Sequence, residues 1–218
     1  MRPCAIALAL LACGGATVQA QSAPGESARF EIGVGVSWNG QSSFGTRAAN
    51  ETTATGGALA LFSTETSLSG AAGVEARFGV RLTRRIDVDT VAAYARPRLL
   101  AVVRSDSEAG AGPFTAAESI QQFAVGGAAV WRLAALQAHP KWTPFATAGV
   151  QYFRELHEGQ LLVVAGPAYE AGGGVKYLPR SRVGIRADAR AIVRTAAVNI
   201  DGRAHVSPAI AASLFIRF

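Results

Sequence analysis

The sequence predicts an all-β fold, an eight-stranded antiparallel up-and-down transmembrane β-barrel. Three features predict it. Apolar and polar residues alternate with the period of two that a strand imposes, and the pattern recurs to Phe218. Hydrophobic residues make up 50% of the 218 and mean hydropathy is +0.23. Yet beyond residue 20 no unbroken apolar run approaches the ~20 residues that a spanning helix needs.

The first strand sets Phe30, Ile32, Val34, Val36 and Trp38 on one face and Glu31, Gly33, Gly35 and Ser37 on the other. The second alternates Ala72, Val74, Ala76, Phe78, Val80 and Leu82 with Gly73, Glu75, Arg77, Gly79 and Arg81. Thr83-Arg84-Arg85 turns the chain into a third strand from about Ile86, where alternation is poorer and Pro97 interrupts the upper part. The fourth carries Phe123, Val125, Gly127, Ala129, Trp131 and Leu133, with Gln122, Gly126 and Arg132 between them. After His139-Pro140, the fifth places Ala146, Ala148, Val150 and Tyr152 against Thr147, Gly149, Gln151 and Phe153.

The sixth strand sets Tyr169, Ala171, Val175 and Tyr177 against Glu170, Gly172, Gly174 and Lys176. The seventh is the cleanest, with Val183, Ile185, Ala187, Ala189, Ala191 and Val193 between Gly184, Arg186, Asp188, Arg190 and Arg194. The eighth runs from about Val206, with Ile210, Ala212, Leu214, Ile216 and Phe218 on one face. Connections at about 83–85, 134–141 and 178–181 are short. Those at about 39–57, 105–117 and 196–205 are longer and rich in small polar residues, the loop near 157–160 being the exception. Short turns at one end and long loops at the other are the asymmetry of outer-membrane barrels.

The N-terminus reads as an export signal. Arg2 supplies a positive start, Ala5 to Ala12 a short apolar core, and Val18-Gln19-Ala20 a small-residue cleavage pattern before Gln21. Residues 1–20 are therefore expected to be a signal peptide, 21–27 a short periplasmic tail and 28–218 the barrel. Leu10-Leu11-Ala12-Cys13 offers a rival lipoprotein processing box, but it would leave a signal with only a very short apolar core. Cys4 and Cys13 are the two cysteines, and both lie in the signal. The mature chain is expected to lack disulfides, a thiol nucleophile and Cys-ligated metal. The net charge of +6 raises the possibility of nucleic acid. The arginines are spread along the strands rather than gathered on a basic face, so that class is set aside.

The polar face separates a membrane barrel from a soluble ligand carrier. A soluble barrel turns its apolar face inward and its charges to water. Here charges of both signs, Glu31, Glu75, Arg77, Glu170, Lys176, Arg186, Asp188 and Arg190, share a face with many glycines. Glycines on a solvated face would only weaken strands. Inside an eight-stranded barrel, just wide enough for side chains to fill, they make room for long neighbours. These eight residues are expected to form a lumen charge network. Trp38, Trp131, Tyr169 and Tyr177 fall toward strand ends on the apolar face, where interfacial girdles belong.

The alternating strands, the segment Pro144-Phe145-Ala146-Thr147-Ala148-Gly149-Val150 and the end Ser213-Leu214-Phe215-Ile216-Arg217-Phe218 resemble the outer-membrane β-barrel family related to the OmpA membrane domain. The resemblance covers about residues 28 to 218. It implies residence in the bacterial outer membrane, contact with outer-membrane lipid, and assembly by the outer-membrane machinery. Ile210, Leu214, Ile216 and Phe218 resemble the signal that this machinery reads. The peptidoglycan-binding domain of the larger relatives has no counterpart in these 218 residues, so a tethering role is not implied.

Chemistry is sparse. His139, His157 and His205 lie far apart in turns or loops without metal-ligand spacing, and read as solvated loop residues. Gly172-Gly173-Gly174 lacks the Ser/Thr and the helix of a phosphate loop. His205-Val206-Ser207 resembles the His-x-Ser pair of lipid A deacylase barrels, where His activates Ser toward an acyl ester. No acid follows Asp201, however, and strand parity turns both side chains to the lumen. Carboxylates set among arginines stay ionised, which suits ion pairs better than proton transfer. The sequence therefore predicts no catalytic residue, cofactor or metal, and a structural or surface-interaction protein. The alternatives are a narrow pore for small solutes and a lipid-modifying enzyme. Any outside partner would be met by loops that carry no recognisable motif.

Overall fold

A computed structural model describes residues 29–52, 55–104, 113–137, 139–157, 163–179, 182–195 and 205–218. The signal, its cleavage point Ala20-Gln21 and the short tail lie outside the described residues. Twelve strands occur among those described: β1 (Phe30–Asn39), β2 (Ser42–Thr52), β3 (Ala58–Leu68), β4 (Ala71–Arg81), β5 (Ile86–Ala95), β6 (Arg98–Arg104), β7 (Phe114–Ser119), β8 (Gln121–Arg132), β9 (Trp142–Leu156), β10 (Val163–Tyr177), β11 (Val183–Arg194) and β12 (His205–Arg217). Eight close a barrel in the order β1-β12-β11-β10-β9-β8-β5-β4, every neighbouring pair antiparallel. They are the eight strands that the alternation predicts.

The pleat decides what faces where. Val34 is 63% exposed while Arg186, on the opposite parity, is 1% exposed. The apolar surface is outside and the charge inside, the inverse of a soluble barrel. Tyr94 and Phe123 pack at 4.9 Å on the outer face, level with Trp38, Tyr152 and Tyr169. At the other end Trp142 packs on Tyr177 at 4.6 Å, and Phe30 stacks between Phe78 and Phe218 at 6.1 and 5.9 Å. From Phe30 to Trp38 is eight residues, which at about 3.3 Å each and a tilt near 40° rises about 20 Å. Two aromatic girdles thus bound an apolar belt of membrane dimensions.

Two of the three long connections are more than loops. The segments expected to be irregular at 39–57 and 105–117 contain β2 and β7, which with β3 and β6 form a separate four-stranded sheet ordered β2-β3-β6-β7. These strands rise above the belt, so neither face meets lipid and no apolar alternation marks them. Arg96-Pro97 divides β5 from β6. The Pro97 carbonyl accepts the Ile120 N–H at 2.9 Å, and the Ser69 hydroxyl accepts the Arg98 N–H at 2.9 Å, so the break is held from both sides.

The opposite end is made of tight turns. Thr83 Oγ1 accepts from the backbone N–H of Arg85 and Ile86 at 3.2 and 3.0 Å. One 3₁₀ turn, Ala134–Leu136, bridges β8 and β9. Both ends of the barrel chain, Arg29 and Phe218, meet here, with Phe218 O accepting from the N–H of Arg29 and Phe30. By the usual asymmetry this is the periplasmic end.

Candidate functional site

The site that the fold builds is the barrel lumen together with the sheet above it. Glycine opens the lumen at two kinds of place. A Cβ at Gly174 would lie 2.2 Å from the Ala187 carbonyl oxygen, so the β10–β11 backbones approach as only glycine allows. At Gly184 it would lie 2.3 Å from the Phe215 ring, which fills the space that the glycine vacates.

The side chains sort into levels. Midway up, Arg186 binds Asp89 and, at 3.0 Å, Asp188, with its guanidinium 4.4 Å from the Phe145 ring centre. Arg190 holds Glu75 at 2.8 Å, Asp188 at 2.9 Å and Glu170 at 3.1 Å. Arg77 closes the set on Glu75 at 2.7 Å and Asp188 at 3.6 Å. Toward the periplasm, Lys176 reaches Glu31 at 2.8 Å and Asp87 at 3.7 Å, Arg217 reaches Glu31 at 3.2 Å, and Arg132 grips Asp87 at 2.7 Å. Toward the outside, Glu155 accepts from Gln122 at 2.9 Å and meets Arg194 at 3.5 Å.

All eight residues expected in the lumen lie there, each with a partner of opposite charge. The expected network left out Asp87, Asp89, Glu155 and Arg217, and also Arg81, Arg132 and Arg194, which the alternation had set on the polar face. Asp87 and Asp89 were legible in principle, since Val88 and Thr90 on the other parity face outward, but the weak alternation of that strand hid them. Among the described residues the lumen holds eight cations against seven carboxylates (Arg77, Arg81, Arg132, Lys176, Arg186, Arg190, Arg194 and Arg217; Glu31, Glu75, Asp87, Asp89, Glu155, Glu170 and Asp188). Near-neutral pairing lets so many charges leave bulk water together.

Between the middle and outer charged levels, Phe153, Ala168, Ile192 and Ala209 form an apolar plug, with Ala124 and Val164 against it. A cavity of about 40 Å³ lies beside the plug, bordered by Ser37, Glu75, Gln122, Gln151, Arg190 and Arg194. Another of about 10 Å³ lies at the periplasmic mouth beside Glu31, Asp87, Lys176 and Arg217. A water needs about 10–15 Å³ of such space, so these hold at most a few waters, not a solute.

The upper sheet is seated on the mouth by a small core of its own. Phe44, Leu68 and Ile120 are buried together, with Leu99 against them. A β-bulge between Ser43 and Gly45 turns Phe44 downward, and Gly45 supplies the positive φ of 99° that the bulge needs. The Phe44 ring meets His205 edge-on at 5.0 Å, and His157 Nδ1 lies 3.3 Å from Glu118. The expectation of solvated loop histidines is therefore corrected for His157 and His205, which are buried beneath this sheet, while His139 is exposed. Strand parity already turned His205 inward, but the cover over both histidines comes from segments read as loops. Ser207 is buried in the lumen below His205, out of reach of lipid on the outer face. No group of three or more His, Cys, Asp or Glu among the described residues is placed to hold a metal ion.

No protein-family model matches the chain, and no curated protein matches its sequence. Its fold is similar to that of Neisserial surface protein A, with 13% identity and a TM-score of 0.57 over 87% of this chain and 97% of that one. It is also similar to the outer membrane protein OprG from Pseudomonas aeruginosa, with 12% identity and a TM-score of 0.56 over 88% and 97%. The likeness is one of fold, that of the small eight-stranded outer-membrane barrels, and the apolar belt between two girdles suits that membrane.

Proposed function

We propose that this outer-membrane β-barrel protein has a non-enzymatic, structural and surface-interaction role, in which a plugged barrel holds a four-stranded sheet above the membrane to meet an outside partner. The observation that carries the reading is the filled lumen. Three charged levels and an apolar plug occupy it, and the cavities of about 40 and 10 Å³ between them are too small for a solute. A barrel used for transport would keep a continuous path. A barrel used as a pedestal is better filled, since paired charges and packed rings stiffen it. The investment above the membrane points the same way. The β2–β3 and β6–β7 hairpins are hydrogen-bonded into one sheet, and Phe44 anchors that sheet on the mouth. The burial of His205 and Ser207 keeps that pair away from acyl chains on the outer face, which favours the non-enzymatic reading.

The test is electrical. Purified protein reconstituted in planar bilayers should give no steady unitary conductance. Large, stable channels from the unmodified protein would replace this reading with that of a narrow pore.

A further inference from the structure

We propose that the periplasmic turns form a cationic collar that binds the headgroups of anionic glycerophospholipids in the leaflet facing the periplasm. The three connections at this end, over 82–85, 133–141 and 178–182 of the sequence, contain no Asp or Glu, and their described residues include Arg84, Arg85, Lys141 and Arg182. Arg84, Arg85, Lys141 and Arg182 are exposed, as is Arg29 where the chain enters the barrel. The side-chain carboxylates nearest this mouth do not neutralise them. Glu31 and Asp87 face inward and are engaged by Lys176, Arg217, Arg81 and Arg132.

Position turns excess charge into a binding surface. Lys141 directly precedes Trp142 and Arg29 directly precedes Phe30, and both aromatics belong to the periplasmic girdle. Girdle aromatics sit at headgroup level, so a cation one residue further out, on a flexible stem, lies at the height of lipid phosphates. The turns hold the cations there. Thr83 Oγ1 fixes the backbone of Arg85, and the His139 ring nitrogen accepts the Lys141 N–H at 3.2 Å. The Arg182 carbonyl accepts from Arg217 N–H at 2.7 Å. The other rim differs. Above the outer girdle the described strands mix signs, with Arg104 paired to Glu65 at 3.4 Å and Glu118 beside His157. The partner is therefore a phosphate-bearing lipid with net negative charge, on the turn side. The proposal rests on the membrane placement and not on the role of the upper sheet, so either can fail alone.

Native mass spectrometry of the purified protein, released from mixed micelles of phosphatidylglycerol and phosphatidylcholine with identical acyl chains, tests it. A single cation near an anionic surface contributes about 1 kcal/mol, so retention of phosphatidylglycerol over phosphatidylcholine should be at least about fivefold. The fourfold variant Arg84→Gln, Arg85→Gln, Lys141→Gln, Arg182→Gln should lose most of that preference while still shifting on a gel when boiled. Arg98→Gln with Arg104→Gln, on the other rim, should keep it. Equal retention of the two lipids by the unmodified protein would overturn the proposal without any variant. So would an unchanged preference in the fourfold variant, or an equal loss from the opposite rim.

Discussion

Asp188 lies among three guanidiniums, those of Arg77, Arg186 and Arg190, with less than a tenth of its surface open to water. Its carboxylate has a different standing from that of Glu65, whose partner Arg104 is mostly exposed. An exposed pair is screened and contributes about 0.2–1 kcal/mol, whereas a buried charge deprived of its partner costs about 3–5 kcal/mol. Asp188→Ala should therefore lower the urea midpoint of barrel unfolding sharply, followed by the loss of the heat-shifted gel band in detergent micelles. Glu65→Ala should leave that midpoint nearly unchanged. Equal midpoints for the two variants would mean that water in the lumen screens the network as well as bulk solvent does. The contrast was partly legible beforehand, since Arg186, Asp188 and Arg190 alternate on the cleanest strand. The partner of Arg186, Asp89, was hidden by a neighbouring Thr90 that breaks the apolar face.

At the scale of elements, the barrel and the upper sheet follow different rules. Each barrel strand answers to lipid outside and packed charge inside, so its sequence shows two distinct faces and could be read directly. β2 and β3 answer to neither. In β2 (SSFGTRAANET) small and polar residues occupy both parities, and its pairing partner follows only after the turn at 55–57. Its one strong signal, Phe44 followed by Gly45, is a bulge that reveals its purpose only when the mouth below is present. Phe44→Ala tests the independence of this layer. Truncating a buried Phe costs about 3–5 kcal/mol, more than a four-stranded sheet with a four-residue core can spare. The β2–β3 and β6–β7 hairpins should become sensitive to protease at concentrations that leave the parent intact, while the boiled and unboiled gel mobilities stay as in the parent. Simultaneous loss of the heat-shifted band would show that sheet and barrel fold as one unit.

For the whole molecule, the decisive contact is the seam where the first strand meets the last. β1 and β12 pair from Glu31↔Arg217 to Asn39↔Ala209, and the Arg217–Glu31 bridge spans 186 positions of sequence. Lys176 adds a second cation to Glu31, and Phe218 stacks on Phe30 at 5.9 Å. An open edge in hydrocarbon leaves backbone groups unpaired at several kcal/mol each, so a barrel lacking its seam is not a stable intermediate in lipid. Contacts this distant also carry the largest closure entropy, which places the seam at the commitment step of assembly. Arg217→Gln with Phe218→Ala removes a charge-assisted pair, of the order of 1.5–3 kcal/mol, and a ring contact from the seam, while Glu31 keeps Lys176. The heat-shifted band should then appear more slowly, and reach a lower final fraction, during refolding into detergent micelles. The Asp188→Ala protein, altered mid-lumen, should lose its midpoint through faster unfolding as well as slower folding. A seam variant that folds at the parental rate and only unfolds faster would place closure after the barrier. The network would then be what commits the chain, with the seam sealing a barrel already formed around it.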